Sequence, residues 1–279
     1  MDSWVAPHLT GGLGNRLFEF AATLGLAELW KVPCVFYLKS VENNDHGAKD
    51  SLLKLFPGIR QIPHSMITPV TLHEPRNGCF IYYSFPSEQV APFCIVGGWR
   101  QTEKYFPKTP LQPTWSMLIP PFSQVTLQQK YSLLGIEDRK RTWFIHVRLG
   151  DYKILPHHQI PIVPYYQKCL DQVPAGSKVL LFSDEPELCK EWMKTEVGKR
   201  GLDFQICDEK NEIESMWLMS HCLGGAITAN STFSWWGAYF ARHRDPVNYK
   251  AFYPSVWGQG LPPATDVVPS WGVTVPIVL

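Results

Sequence analysis

The chain has 279 residues, 45% of them hydrophobic and 18% charged, which is enough for one large or two medium domains with buried cores. Its 26 Lys and Arg residues and 25 Asp and Glu residues leave a net charge of +1. This balance argues against a surface for nucleic acid or for an anionic membrane, so local arginines would have to bind any anionic ligand.

The cysteines and the hydropathy pattern indicate the cellular compartment to expect. The seven cysteines are scattered, odd in number and never spaced as Cys-x-x-Cys, which argues against zinc clusters and a disulfide framework. No signal peptide is evident, and no run approaches the ~18 apolar residues of a membrane span. As the chain stands we expect a cytoplasmic protein without a membrane span, although a truncated Golgi-luminal protein would look the same.

The amino terminus predicts a strand, a glycine-rich turn, a helix and a second strand. Residues 4–9 form the first strand, and the turn TGGLGNR follows at residues 10–16. Apolar residues then recur at helical spacing up to residue 30. The β-branched and aromatic residues of 32–38 predict the second strand, which completes a βαβ unit.

The middle of the chain carries a weaker pattern. Between residues 40 and 125 prolines are frequent and apolar stretches are short, and the Pro-rich segment 109–122 is the best linker candidate. We therefore predict an amino-terminal domain over residues 1–125, ending in a linker near 109–125. A carboxy-terminal domain is predicted over residues 126–279.

The second half alternates strands with helices. Strands are predicted over residues 142–147, 177–183, 202–207 and 224–230. Helices are predicted over residues 184–197, 212–222 and 231–242, the last one opening with Ser and Thr as caps. Alternation of this kind predicts an α/β domain with a mostly parallel sheet.

Polar residues follow three of these predicted strands. Arg148 and Asp151 follow the first, Asp184 follows the second, and the segment NSTFS (Asn230 to Ser234) follows the fourth. Because ligands of open parallel sheets bind at the carboxyl ends of strands, we expect these residues to share one edge of the sheet.

Each of these residues also has an interpretation that needs no ligand. Arg148 offers a planar fork to a phosphate or carboxylate, but it could equally form a structural salt bridge with Asp151. His146 could be a core histidine bonded to backbone. The segment NSTFS could be an anion site or a plain helix cap, and Asp184 could bind a base or cap the next helix.

Two nucleotide motifs and one metal motif are missing. The turn TGGLGNR has Leu17 where a dinucleotide fingerprint has a third small residue, and it lacks the Gly-Lys-Ser/Thr of a P-loop. No Asp-x-Asp pair occurs anywhere, so a metal clamp for a diphosphate has no candidate. Arginine, helix amides and hydroxyls would have to neutralise a diphosphate instead.

Four stretches together resemble a known family: GGLGNRLFEFA, HVRLGDY, LLFSDEPE and MWLMSHCLGGAITANSTFSWWGAYF. They span residues 11–240 and resemble the family 11 glycosyltransferases, the α-1,2-fucosyltransferases that use GDP-fucose. The resemblance implies two Rossmann-like domains facing across a cleft, as in B-type glycosyltransferases, with the donor site in the carboxy-terminal domain. It also implies an inverting, metal-independent reaction between a GDP-sugar donor and a glycan acceptor, without a cofactor.

The resemblance also implies a donor site. Arg148 would bind the diphosphate, Asp184 the guanine, and the start of the last helix the phosphates, while Asn15 would face the donor. The residues placed at the donor are Gly12, Gly14, Asn15, Arg16, His146, Arg148, Asp184, Asn230, Ser231, Thr232, Phe233 and Ser234. We place the catalytic function on Arg148, Asp151 and Asn15.

One position differs from the family pattern, and the sequence leaves open which residue is the catalytic base. Many members have a second arginine where this chain has Leu149, so donor affinity or donor identity could differ. Asp151 is our first choice for the base, although a carboxylate paired with Arg148 would be a weak one. His157, His158 and Glu103 are alternatives.

Three functions are compatible with these observations. The first is a fucosyltransferase that uses GDP-fucose, with the 2-OH of a galactoside as the expected acceptor group. The second is a transferase of the same fold with another nucleotide sugar, which Leu149 leaves open. The third is a catalytically silent protein that binds a nucleotide or carbohydrate, a hypothesis that the intact Arg148 and NSTFS segment disfavour.

Overall fold

The computed structural model describes residues 3–41, 51–63, 67–75, 80–261 and 264–278. It divides into two compact units, Met1–Leu118 with Ala264–Pro269, and Ile119–Pro263 with Ser270–Leu279. A late segment, Ala264–Pro269, belongs to the first unit. There the Asp266 carboxylate pairs with Lys104 Nζ at 2.6 Å and accepts the Tyr82 N–H at 2.8 Å.

The first unit contains short parallel strands and one long helix. Its elements are β1 (Trp4–Pro7), α1 (Leu13–Trp30), β2 (Phe36–Tyr37), α2 (Ser51–Leu55), β3 (Gln61–Ile62), β4 (Val70–Leu72) and β5 (Phe93–Val96). One sheet has the order β1-β5-β4, and β2 pairs with β3. The predicted strand–helix–strand order is present, but its second strand is reduced to two residues.

The second unit is an alternating α/β structure. Its helices are α3 (Pro121–Lys130), α4 (Ile136–Arg141), α5 (Ile162–Leu170), α6 (Pro186–Trp192), α7 (Glu212–Met219) and α8 (Thr232–Arg244). Its strands are β6 (Thr142–Val147), β7 (Lys178–Ser183), β8 (Asp203–Ile206), β9 (Gly225–Ile227), β10 (Ala251–Pro254) and β11 (Val273–Val275). Short turns of 3-10 helix occur at Asp151–Lys153 and Pro156–His158.

These six strands form one sheet in the order β11-β10-β9-β6-β7-β8, with every pair parallel. The central strand β6 pairs with β7 and β9, so that Ile145 lies between Leu181 and Ile227. All six residues of β6 are buried, as expected for a parallel strand covered on both faces. The predicted α/β class with a parallel carboxy-terminal sheet is confirmed.

Helix α5 anchors the sheet near the strand ends. Its Tyr165 and Tyr166 are at most 2% exposed and pack in the apolar core beside β6 and β7. The Tyr165 hydroxyl donates to the carbonyls of Thr228 and Phe252, and the Tyr166 hydroxyl donates to the carbonyl of His146 at 2.6 Å. Burial of each such side chain contributes ~1.5–3 kcal/mol. These hydrogen bonds therefore fix the carboxyl ends of β6 and β9 against helix α5.

The segment 109–122 stays a predicted linker, and α3 begins at its end, at Pro121. Proline has no N–H and a fixed φ, which suits the first helical position.

Candidate functional site

The strand order brings three predicted strand ends together. Strands β9, β6 and β7 are neighbours and run parallel, so their carboxyl ends lie at the same edge of the sheet. Arg148 follows β6, Asp184 follows β7, and the segment from Asn230 to Ser234 leads from β9 into α8. We call this edge, with Arg148, Asp151, Asp184 and Ser231, the strand-end site.

Arg148 is held between two carboxylates. Its Nη2 lies 2.7 Å from Asp151 Oδ1, and its Nη1 lies 2.9 Å from Asp184 Oδ2. The guanidinium carbon also lies 5.6 Å from the centroid of the Tyr152 ring. The salt bridge with Asp151 that the sequence allowed is therefore present. With 31% of its side chain exposed, Arg148 remains accessible to an anion.

Asp184 orients Arg148 from β7. Its Oδ1 accepts the Leu149 N–H at 2.9 Å while Oδ2 pairs with Arg148. A Cβ on Gly150 would lie 2.4 Å from that Oδ2, so glycine permits this close approach. Helix α6 begins after Glu185 without a side-chain cap, and Asp184 is directed to Arg148 and Leu149 instead. Asp184 is the residue predicted to bind the guanine, and both of its carboxylate oxygens thus contact the chain itself, at Leu149 and Arg148.

Leu149, the departure from the family pattern, has a structural task. Its partly buried side chain packs against the apolar core of the second unit, beside β6 and α5. An arginine with this orientation would place a charge against apolar side chains, which is costly without a partner. Leu149 therefore adds core packing rather than a second cation to the strand-end site.

His146 is a buried, neutral histidine. It is 5% exposed, and its ring centroid lies 5.8 Å from that of Phe233. Burial, and secondarily the charge of Arg148, lowers the pKa of His146 to about 4, so the imidazole is uncharged at neutral pH. Its buried Nδ1 has no hydrogen-bond partner among the described residues. Both of its sequence interpretations stay open.

The NSTFS segment combines structural and exposed groups. Asn230 is 3% exposed, and its Nδ2 donates to the carbonyls of His158 and Trp257, both at 2.9 Å. Ser231 caps α8 by accepting the Phe233 N–H at 3.3 Å, and buried Ser234 accepts the Ala229 N–H. The predicted cap is therefore observed. It places the amino end of α8, with Thr232 as its first residue, at the strand-end site, where helix amides favour anions.

Tyr152 is a component of the site that the sequence reasoning missed, although it lies inside HVRLGDY. Its ring stacks on His158, with centroids 4.6 Å apart, and its hydroxyl donates to the Asn230 carbonyl at 3.1 Å. Burial raises the pKa of Tyr152 to about 12. Burial and neighbouring His157 lower the pKa of His158. Only the folded turn brings these rings to Arg148.

The glycine-rich turn belongs to the first unit. Gly12 precedes α1, and Gly14, Asn15 and Arg16 lie in its first turn. Arg16 is 4% exposed and its Nε donates to the Gly11 carbonyl at 2.9 Å. The Asn15 Oδ1 accepts from Gln101 Nε2 at 3.1 Å. Arg16 therefore contributes to the turn itself, whereas Asn15 is only half-buried.

Sequence reasoning missed the partner of this turn. Because β1 and β5 are parallel neighbours, the residues after β5 meet the residues after β1. A Cβ on Gly11 would lie 3.1 Å from the ring of Trp99, and Gln101 bonds to Asn15. Neighbouring Arg100 is 3% exposed and donates to the Gly97 and Leu72 carbonyls. The residues after β5 showed no motif, so this pairing could not be read from the sequence.

The described residues show neither a metal-binding cluster nor a membrane-spanning helix. Among the residues that the structure describes, no group of three or more His, Cys, Asp or Glu side chains is arranged to hold a metal ion. Within the same residues, every helix is too short or too polar to cross a membrane.

The fold and the strand-end site define the class of protein. An open parallel sheet with an arginine and a helix amino terminus at its strand ends is an arrangement typical of nucleotide-binding α/β domains. The model of Glycosyl transferase family 11 matches residues 124–249, which include the whole strand-end site. The predicted resemblance to the family 11 glycosyltransferases is confirmed over residues 124–249, which match the family model. The predicted enzyme class, a glycosyltransferase, is confirmed with it.

Individual known proteins are similar to this chain over different lengths. A galactoside 2-alpha-L-fucosyltransferase of Caenorhabditis elegans is 27% identical over 262 residues, which cover 86% of this chain and 69% of that protein. An alpha-1,2-colitosyltransferase of Escherichia coli is 33% identical over 106 residues, 36% of each chain. The crystal structure of POFUT1 in complex with GDP-fucose has a TM-score of 0.52 at 12% identity, covers 99% of this chain and 98% of that chain, and shares the fold.

Proposed function

We propose that this chain transfers L-fucose from GDP-fucose to a hydroxyl group of a glycan, with the 2-OH of a galactoside as the acceptor group. The observation that carries the proposal is the strand-end site, where Arg148 and the amino end of α8 lie at the same edge of the sheet. The name of the Caenorhabditis elegans relative supports the linkage, and the GDP-fucose in the POFUT1 structure supports the donor.

In this proposal Arg148 and the segment from Ser231 to Phe233 at the amino end of α8 hold the diphosphate. An arginine fork and helix amides are the two groups best suited to phosphate oxygens. Together they neutralise the leaving group, so the reaction needs no metal ion. Gly12, Gly14, Asn15 and Arg16 of the glycine-rich turn stay predicted donor contacts, with Asn15 the most accessible polar side chain of the four.

The proposed reaction inverts the configuration at C1 of fucose. The acceptor oxygen forms its bond to C1 on the face opposite GDP, the bond from C1 to the diphosphate oxygen breaks, and Asp151 takes the hydroxyl proton. Negative charge grows on the diphosphate in the transition state, and Arg148 stabilises it there. This stabilisation is the main catalytic contribution that we assign to the strand-end site.

A second candidate is a transferase of the same fold with a different sugar donor. One observation favours it: the relative with the higher identity, over a shorter segment, is named a colitosyltransferase. The strand-end site binds the phosphates in either case, so its geometry is compatible with both sugars. The sugar itself must be tested directly.

Titration calorimetry and a transfer assay separate these functions. We expect binding of GDP and GDP-fucose and weaker binding of UDP sugars, followed by transfer of fucose to a β-galactoside in the presence of EDTA. Absence of GDP binding at millimolar concentration would refute the proposal. Transfer from another GDP-sugar but not from GDP-fucose would favour the second candidate, and tight binding without transfer or hydrolysis would favour the silent protein.

A further inference from the structure

The strand-end site holds one arginine and two carboxylates. Arg148 is paired with Asp151 and Asp184, and the described pair of Lys153 with Glu185 at 2.7 Å is itself neutral. An approaching diphosphate therefore meets a cation whose charge is already offset. The remaining N–H groups of Arg148 lie beside two carboxylates that repel a phosphate oxygen, so release of one carboxylate from Arg148 favours binding of the diphosphate.

The two carboxylates are held unequally. Asp184 makes two bonds, to Arg148 and to the Leu149 N–H, directly at the end of a central strand, and it is 22% exposed. Asp151 has one ion-pair contact among the described residues, to Arg148, is 37% exposed, and starts the one-turn 3-10 helix Asp151–Lys153. A half-exposed ion pair of this kind holds its partners weakly. Asp151 is thus the carboxylate that can leave.

We propose that the donor diphosphate displaces Asp151 from Nη2 of Arg148 while Asp184 keeps Nη1, and that the released Asp151 carboxylate then serves as the base. The inference rests on the proposed function for the identity of the acceptor, but the exchange concerns any diphosphate. After the exchange the Asp151 carboxylate no longer pairs with Arg148, and its oxygens can accept the hydroxyl proton. Donor binding thereby prepares the base.

The exchange predicts opposite effects of Asp151 on binding and on turnover. In Asp151→Asn the competing charge is gone, so the affinity for GDP and for inorganic diphosphate should rise about threefold to tenfold. The same variant lacks a base, so kcat should fall at least about a hundredfold. A residue that merely supported the turn would not tighten binding while it lowered turnover.

The chain offers a matched control. Asp138 and Arg141 also form an Asp–Arg pair three residues apart, at 3.6 Å, but helix α4 leads into the opposite, amino end of β6. Asp138→Asn should leave both the diphosphate affinity and kcat unchanged. Guanosine, which has no phosphate, should bind Asp151→Asn and the unmodified protein equally. Thermal unfolding of each variant verifies that it is folded.

The outcomes separate the exchange from the proposed function. Unchanged or weaker binding of inorganic diphosphate by folded Asp151→Asn overturns the exchange, even if the protein transfers fucose. Failure of both proteins to bind any diphosphate overturns the exchange and the proposed function together. Tighter diphosphate binding by Asp151→Asn without fucose transfer by the unmodified protein supports the exchange and refutes only the proposed donor or acceptor.

Discussion

At the scale of the residue, three consecutive positions after β6 have three different tasks. Arg148 provides a cation to the strand-end site, Leu149 packs into the core, and Gly150 leaves room for the Asp184 carboxylate. Their sequence identifies the arginine and the glycine as unusual but not the direction of the leucine. The alternation of side chains at the end of a strand accounts for that direction.

Arg148→Ala removes the cation of the strand-end site. We expect kcat/KM for fucose transfer to fall at least about thirtyfold, about 2 kcal/mol of transition-state stabilisation. Steady-state kinetics measures this change. Arg148→Lys should recover part of the loss, because it keeps the charge but not the fork. Arg141→Ala, at the other edge of the sheet, should have no effect, and wild-type turnover of Arg148→Ala would mean that the diphosphate binds elsewhere.

Leu149→Arg introduces the residue common in the family. Because the Leu149 side chain packs against the core, we expect this variant to be destabilised by about 1–3 kcal/mol rather than to bind the donor more tightly. Urea denaturation measures the free energy of unfolding, with Leu149→Met as the volume-conserving control. A stable Leu149→Arg with higher GDP affinity would contradict this account of the departure.

At the scale of the element, α8 links stability to the candidate chemistry. Ser231 accepts the Phe233 N–H and ends the loop after β9, so that α8 begins at Thr232. The two residues after this cap, Thr232 and Phe233, belong to the segment that the family resemblance assigns to phosphate binding. One cap therefore determines both where the helix begins and where its amides point.

Ser231→Ala should lower the free energy of unfolding by about 1 kcal/mol and also weaken GDP binding. The matched control is Asn211→Ala, since Asn211 caps α7 by accepting the Ile213 N–H at 2.8 Å. It should cost similar stability without any change in GDP affinity. Thermal unfolding and calorimetry measure the two quantities, and equal effects of both variants on GDP binding would argue against an anion site at α8.

At the scale of the whole molecule, buried histidines couple stability to pH. Burial, reinforced by Arg148, lowers the pKa of His146 to about 4, and burial, reinforced by Arg244, lowers that of His221 to about 3. In the unfolded chain both titrate near ~6.5. Below that pH the unfolded state binds more protons than the folded state, so the folded state loses stability as the pH falls.

Between pH 6.5 and 5 we therefore expect the free energy of unfolding to fall by up to about 1.4 kcal/mol per pH unit for each of these histidines. Urea denaturation at several pH values measures the slope. His146→Gln should make the slope shallower, because that histidine no longer titrates. A slope that is unchanged in His146→Gln would show that His146 binds its proton over the same pH range in the folded and unfolded states.

Local patterns predicted much of the second unit. Strand β6 was predicted with its observed bounds, and β7, β8 and β9 were predicted within one to three residues at each end. Their apolar runs and the Ser231 cap are local signals. The short strands β10 and β11 and the contact of Trp99 with Gly11 were missed, because each depends on residues distant in sequence. Helix α3 was missed although the proline at its first position is a local signal.

The sequence by itself determined many of the elements and the resemblance to a family, because hydrophobic runs, caps and motifs are properties of neighbouring residues. It also determined which residues could carry charge at the strand ends. Only the tertiary structure decided which charges meet. Thirty-five positions separate Leu149 from Asp184, and the pairing of β6 with β7 brings that carboxylate to Arg148. Because ion pairs depend on distances of a few ångströms, the pairing of two carboxylates with one arginine exists only in the folded chain.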